Sequence, residues 1–410
     1  MNILIVSTSD IYGGAAVAAF RLMHALISSG DNVTMIVRDK LSSDKHVVSV
    51  GRKQVNKYYF YWERGKIFLH NRFSKKNLFD VSIANTGNSI TELPVFKEAD
   101  VIHLHWINQG MLSIEEVDKI LSSGKKVVWT MHDMWAFTGI CHHAGTCKNY
   151  TQSCGNCPYL VTNSPKDLSY KIFKHKQTVY KNGAISFVAC SNWLKELALK
   201  SPLTGGHRVF SIPNPINTEQ YHPQDKSDVR KLLNLPEDQK IVLFAAVKAS
   251  DPRKGVDYLL EASRLIAKQS TNIMFLIAGT NGKEFVERLN MPAYALDFVS
   301  PDKMVDVYNA ADLFVTPSLQ ENLPNTLMEA MSCGTPCVGF NIGGIPEMIS
   351  HKKNGYLVNY KDTADLANGI LWTLYEADTE MLSANARKKV LQEYSQETIA
   401  LQYKKIYLQS

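Results

Sequence analysis

Two carboxylates, Glu321 and Glu329, stand eight residues apart in the run PSLQENLPNTLMEAMSCGTPCVGFNIGGIPE, with Pro324 between them. A strand-like stretch, DLFVTPS at 312–318, precedes the first, and an apolar helix start, TLMEAM, carries the second. Proline is poor inside a helix but suits its first position. The spacing therefore predicts Glu321 in the loop after a strand, Pro324 at the first helical position and Glu329 inside the helix. Free N–H groups and the positive dipole end make that helix start an anion cradle. A cradle flanked by two acceptors for hydroxyls suits a nucleotide sugar, with phosphates on the helix end and one carboxylate on each sugar. Glutamates at this spacing also occur on plain solvated surface, so the flanks matter. Cys333-Gly-Thr-Pro-Cys337 reads as a helix C-cap glycine, a tight turn and a new strand. Gly343-Gly344-Ile-Pro-Glu347 then opens another helix, with glycines where a ligand can approach.

Other chemistry-bearing residues also follow strand-like runs. KASDPRKG, Lys248 to Gly255, comes directly after IVLFAAV. Its cations suit a diphosphate leaving group, whose growing charge needs neutralising; the plainer reading is a solvated basic loop. Tyr12-Gly13-Gly14-Ala15 follows the first strand and opens a helix over 15–29. Glycines there let backbone approach a phosphate or sugar, although any β–α turn can use them. His132-Asp133 follows VVWTM. A neutral imidazole at a strand end can bond a hydroxyl or carbonyl, or simply cap the strand. His103 and His105 read as structural or loop residues.

Cys141, Cys147, Cys154 and Cys157 form C-x5-C-x6-C-x2-C within seventeen residues, punctuated by glycine and proline. A cytoplasmic chain seldom keeps disulfides, and C-x2-C suits tetrahedral thiolate coordination. A structural zinc site is the leading reading, with His142 or His143 able to replace one cysteine. Free thiols and an iron–sulfur or redox centre are the others. Cys190, Cys333 and Cys337 read as small core residues.

These residues need a scaffold. At 410 residues the chain suits two domains, and 45% hydrophobic and 20% charged residues suit a soluble globular protein. Its longest apolar runs are of strand length, and MNILIVSTSD reads as a buried first strand, not a signal peptide. That predicts a cytoplasmic protein. Strand-like runs alternate with helical patterns, the mark of parallel α/β folds. They lie at 3–7, 33–37, 101–104, 127–131 and 185–189, then at 241–247, 273–278, 293–299, 313–316, 337–340 and 356–358. Pro213-Asn214-Pro215 interrupts them as a hinge. Residues 51–80 hold eight Lys/Arg against Glu63 and Asp80, interleaved with Tyr58, Tyr59, Phe60, Tyr61, Trp62, Phe68 and Phe73. The plainer reading is a solvated excursion whose aromatics pack on the domain. Peripheral contact with the inner face of a membrane comes next, and nucleic acid is not expected.

The signature S-x-x-E-x-x-x-N-T-x-x-E-A-M-x-x-G-T-P-x-V followed by G-G-I-P-E resembles the retaining nucleotide-sugar glycosyltransferases of group 1, or family 4. The resemblance implies a GT-B fold: two doubly wound Rossmann-like domains facing across a cleft. Residues 1–212 would bind the acceptor and 217–394 the nucleotide sugar, with a helix in 395–410 packing back on the first domain. It implies that Glu321 contacts the transferring sugar and Glu329 the ribose. Lys254, with Lys248 where the family has arginine, would stabilise the diphosphate. Gly13 and Gly14 would close over diphosphate and acceptor, His132 would lie near the sugar, and Asn214 would orient the donor. Because Pro324 has no amide, Asn325 and Thr326 must supply the cradle. The family often has Glu-Gly-Phe-Gly where this chain has Glu321-Asn-Leu-Pro324. No catalytic metal is expected. The Cys-rich loop is similar to that of exopolysaccharide-type members, which suggests a glycan or lipid-linked acceptor in bacterial polysaccharide assembly. A nucleotide-sugar epimerase of the same fold and a non-catalytic glycan- or nucleotide-binding subunit are the alternatives.

Overall fold

The structure, a computed structural model, describes residues 1–409. It divides into two compact units: Met1–Pro213 together with the C-terminal stretch from Ile399, and Asn214–Thr398.

The first unit is built on β1 (Asn2–Ser9), β2 (Asn32–Asp39), β3 (Val47–Ser49), β4 (Val101–Leu104), β5 (Lys126–Met131), β6 (Ile185–Ala189) and β7 (Arg208–Ser211). They form one parallel sheet in the order β3-β2-β1-β4-β5-β6-β7. Alternate residues of β1 serve opposite faces, as the two-residue period of a strand requires. Ile3 and Ile5 pack with Leu22 and Leu26 of helix Gly14–Ser28 and with Ile399 and Tyr403. Leu4 and Val6 join the other core, with Ile114, Val117 and Phe173. The chain leaves the second unit within its last helix, Gln396–Leu408. The hydroxyls of Tyr403 and Tyr407 there bond Thr130 at 2.8 Å and His103 at 2.7 Å.

The second unit has β8 (Lys240–Lys248), β9 (Ile273–Thr280), β10 (Ala293–Leu296), β11 (Leu313–Thr316), β12 (Cys337–Phe340) and β13 (Gly355–Val358). Their order is β10-β9-β8-β11-β12-β13, again all parallel. In both sheets the winding reverses beside a central strand, at β1/β4 and at β8/β11. Open α/β sheets bind ligands outside the carboxyl ends of the strands at such a reversal.

Four details depart from the sequence reading. β3 and β7 are additional edge strands, and β10 stops at Leu296 rather than residue 299. Pro324 sits one residue earlier than expected, as the N-cap of helix Asn325–Ser332. The aromatics of residues 51–80 divide: Tyr59, Phe60 and Phe68 are partly buried as expected, whereas Tyr58, Tyr61, Trp62 and Phe73 are exposed.

Candidate active site

The ends of β8 and β11 bring the predicted donor residues together. Lys254 Nζ donates to Glu321 Oε2 at 2.7 Å, joining the loop after β8 to the loop after β11. Backbone holds those loops in place. Leu319 N–H donates to the Arg253 carbonyl at 2.8 Å. At Gly255, φ is +72°, and a Cβ would meet the Pro317 carbonyl oxygen at 1.7 Å. Gly343 does the same from the other side: φ is +59°, and a Cβ would meet the Glu321 carbonyl oxygen at 1.8 Å. Gly344 N–H also bonds the Asn322 carbonyl at 2.7 Å. The sequence reading gave Gly343 to an approaching ligand; the backbone of Glu321 also requires it, since only a residue without Cβ admits that carbonyl at that φ.

Glu329 lies buried in the helix, and its Oε2 accepts from Tyr308 Oη at 2.8 Å. Burial, together with this carboxylate, pushes the Tyr308 phenol well above its usual range, so it stays a donor. Asn214 Nδ2 donates to Asn325 Oδ1 at 3.0 Å, linking two predicted residues at the helix start. Thr326, next along, is half-buried. At the helix end the Arg387 guanidinium bonds the carbonyls of Ser332, Tyr221 and Thr218 at 2.7, 2.6 and 2.9 Å. A cation there complements the negative end of the helix dipole. Lys248 is not drawn to Glu321: it is exposed at the end of β8, past a register shift in its pairing with β9. Arg253 folds onto Asp251 at 2.8 Å.

The first unit collects its residues at the ends of β1, β4, β5 and β6. Gly13 has φ +93° with open space where a Cβ would stand, and it caps helix Gly14–Ser28. The loop before it is tied down by Asp10, which accepts from the N–H groups of Leu41 at 3.0 Å and Ser42 at 2.8 Å. His132 Nε2 meets His105 Nδ1 at 2.9 Å, and its Nδ1 meets Cys190 Sγ at 3.4 Å. Burial, partly offset by Asp133, lowers His132 to about 4, so its imidazole is neutral at pH 7. Asp133 is held low, at about 2: burial opposes its charge, but His142 at 2.7 Å and the Trp135 N–H outweigh that. Trp106 Nε1 also donates to Asp133, at 2.8 Å.

Cys141, Cys147, Cys154 and Cys157 line one small pocket as free thiols. Burial raises the thiols of Cys141, Cys154 and Cys157, Cys154 to about 12 and Cys157 to about 11, while Gly139 N–H donates to Cys154 Sγ at 3.2 Å. Among the described residues, no three His, Cys, Asp or Glu side chains are grouped so as to hold a metal ion. His142 is committed elsewhere, to Asp133 and to Ser82 at 3.0 Å.

Sequence reasoning missed Tyr308, Arg387, Asp10 and His105. Each lies far along the chain from the residue it holds. The only local signal was the placing of Asp10 and His105 just beyond β1 and β4.

Residues 12–220 match the profile of Glycosyltransferase Family 4, and residues 239–376 that of Glycosyl transferases group 1. The chain belongs to glycosyltransferase family 4. Its two parallel-sheet units are those of the GT-B fold, and it is a glycosyltransferase. An uncharacterized glycosyltransferase of Methanocaldococcus jannaschii is 27% identical, over 81% of this chain and 90% of the relative. The UDP-Gal:alpha-D-GlcNAc-diphosphoundecaprenol alpha-1,3-galactosyltransferase of Escherichia coli is 25% identical, over 53% of this chain and 60% of the relative. Anabaena HepE in complex with UDP-glucose shares the fold, with a TM-score of 0.64 at 15% identity and 98% of each chain covered.

Proposed function

We propose that this glycosyltransferase moves a sugar, with retention of anomeric configuration, from a nucleotide-diphosphate sugar to a glycan or lipid-linked acceptor in polysaccharide assembly. The observation that carries this reading is the Lys254–Glu321 contact of 2.7 Å at the β8/β11 reversal. A cation and an acceptor for sugar hydroxyls share one point, and the start of helix Asn325–Ser332 lies just beyond Glu321 in the chain. The arriving diphosphate draws Lys254 away from Glu321. Lys254, with Lys248 swinging in from its exposed position, then neutralises the charge that builds on the leaving group. Glu321, freed of its partner, holds the sugar and favours positive charge at the anomeric carbon. Amides of Asn325 and Thr326 cradle phosphate, and Asn214 orients Asn325. Glu329, steadied by Tyr308, takes the ribose hydroxyls.

In the first unit, Gly13 and Gly14 leave backbone open to the diphosphate and acceptor. His132 offers a neutral ring to the sugar. The UDP-galactose and lipid-diphosphate substrates named for the Escherichia coli relative support the choice of donor and acceptor class. A screen of UDP- and GDP-sugars by thermal shift, followed by product analysis with lipid-linked saccharides, tests the reading. No stabilising donor, or turnover unchanged in Glu321→Ala, would overturn it.

The proposal includes a structural zinc on Cys141, Cys147, Cys154 and Cys157. Four thiols around one pocket support it, and the donor set is that of a closed site without a catalytic position. Binding requires the buried thiols to ionise and the sulfurs to draw in to about 2.3 Å from the metal. Elemental analysis of untagged protein should find about one zinc per chain. Metal-free, fully active protein with four titratable thiols there refutes the site.

A further inference from the structure

Helix Lys53–His70 is inside out. Its buried residues are Asn56, Glu63, Arg64 and Ile67. Glu63 is fully buried, and its Oε1 accepts from the N–H groups of Ile83 and Ala84 at 2.7 and 2.8 Å. Its Oε2 pairs with Arg64 at 2.8 Å, and Arg64 donates to the Val81 carbonyl at 2.8 Å. Asn56 donates to the Val50 carbonyl at 2.8 Å and accepts from Asn88 at 2.9 Å. These directional bonds set the rotation of the helix about its axis.

The other face is therefore apolar and open. Tyr61 is 67% exposed, Trp62 46% and Leu69 60%, with Val55 and Tyr58 beside them. Val55, Tyr58, Trp62, Lys66 and Leu69 follow helical spacing, so they form a single stripe. Tyr58 stacks on Trp62 at 5.8 Å, and Lys66 Nζ lies over the Trp62 ring at 5.4 Å. Phe73 and Phe79 extend the exposed apolar residues beyond the helix. Around them Arg52, Lys53, Lys57, Lys66, Arg72, Lys75 and Lys76 are all exposed, against the single exposed acid Asp80.

We infer that this face is a docking surface for an anionic phospholipid bilayer, which the helix meets lying flat. Tyrosine and tryptophan prefer the depth of lipid headgroups, and apolar side chains between them reach the acyl boundary. Exposed cations complement anionic headgroups, each worth about a fivefold gain in partitioning. A protein partner would need a face both strongly acidic and apolar, whereas an anionic bilayer offers its headgroups and acyl boundary together. A neutral bilayer would use only the aromatic half. No helix among the described residues is long and apolar enough to cross a membrane, so attachment here is peripheral. The inference goes beyond the proposed reaction and does not depend on it.

The test is co-sedimentation of the full chain with phosphatidylglycerol/phosphatidylcholine vesicles and with phosphatidylcholine alone. The wild type should bind the anionic vesicles, and raising salt from about 0.1 to 1 M should release it as the Debye length shrinks from about 10 to 3 Å. Combined Tyr61→Ser, Trp62→Ser and Leu69→Ser should weaken binding by about tenfold or more. Combined Lys57→Glu, Lys66→Glu and Lys75→Glu should weaken it by about a hundredfold. Thermal midpoints check that the variants fold. Should a triple variant unfold, Trp62→Phe provides the second reading: the blue shift that vesicles induce in the wild type should largely vanish. Folded wild type that stays in the supernatant overturns the inference, as do variants that sediment like wild type. Patch variants that change oligomeric mass while vesicle binding stays the same also overturn it, assigning the face to a second copy of this chain.

Discussion

The two sheet reversals use opposite electrostatics. Beyond β8 and β11 stand formal charges: the Lys254–Glu321 pair, and Glu329 under the hydroxyl of Tyr308. Beyond β1, β4 and β5 the ring contact is between imidazoles that burial keeps neutral, His105 and His132. The first arrangement can meet a charged leaving group. The second can exchange hydrogen bonds with neutral hydroxyls while adding no cation of its own. The difference teaches that the second unit presents an ionic end, a cation and a carboxylate paired, and the first a dipolar end, two neutral rings set beside the carboxylates Asp10 and Asp133.

That contrast can be broken by substitution. The largest effect is expected from Lys254→Ala, which should lower kcat by roughly 100-fold or more, the range of lost electrostatic stabilisers. Glu321→Ala should likewise act mainly on kcat. Steady-state kinetics with the identified donor checks both, and near-normal turnover would mean that the ionic end is not where bond cleavage occurs.

Gly343→Ala comes next. Left-handed backbone strain and the clash with the Glu321 carbonyl should together cost about 2–3 kcal/mol. At Gly13, where the space is open, alanine carries the strain alone and should cost less. Denaturant melts of the two variants compare a glycine required by packing with one required by φ. Equal losses would show that the contact with Glu321 relaxes freely.

Tyr308→Phe removes one hydrogen bond to a carboxylate, about 1.5 kcal/mol, or near tenfold in donor affinity with little change in kcat. Glu329→Ala should weaken donor binding by about 1–3 kcal/mol. Isothermal titration with the nucleoside diphosphate alone distinguishes ribose binding from catalysis.

The smallest effect tests the dipolar end by acid. Burial lowers His103 to about 3 and His132 to about 4, from an ordinary value of 6.5. Their contribution to stability is complete above about pH 6.5, because the unfolded chain then holds no extra proton. It declines as pH falls through that value towards 4 and then 3. Trp372 alone belongs to the second unit, so tryptophan fluorescence reports mainly on the first. Its thermal midpoint should drop between about pH 6.5 and 4. A flat profile over that window would show that the rings charge without penalty.

What the sequence disclosed follows from how each end is assembled. The donor-side signature is contiguous from Pro317 to Glu347, because one loop–helix–strand–loop passage carries Glu321, Glu329 and their glycines. Central strands announced themselves by β-branched apolar runs. β3 and β7 did not: each has at most four residues, and the outward-facing parts of these edge strands need no apolar side chains. The bond between Tyr308 and Glu329 depends on the packing of two helices, and no periodicity encodes it. His105 was passed over because its partner, His132, is 27 residues away on the neighbouring strand. Residues 51–80 were only partly legible because helical spacing gives the stripe but not which way it faces. Glu63, a charged residue, decided that by burying itself.

The last helix has a consequence for biosynthesis. Tyr403 and Tyr407 close hydrogen bonds on Thr130 and His103, the latter spanning 304 residues of chain. On the ribosome most of the first unit emerges before the second, yet part of the covering for β4 and β5 is translated after it. The whole second unit is made in between, which at about 5–20 residues per second takes on the order of ten to forty seconds. During that interval the face around Ile3, Ile5 and Val128 lacks Ile399, Tyr403 and Ile406. The unit translated before its neighbour thus completes its core only after that neighbour has been made, and the nascent chain must shelter an incomplete sheet until helix Gln396–Leu408 arrives.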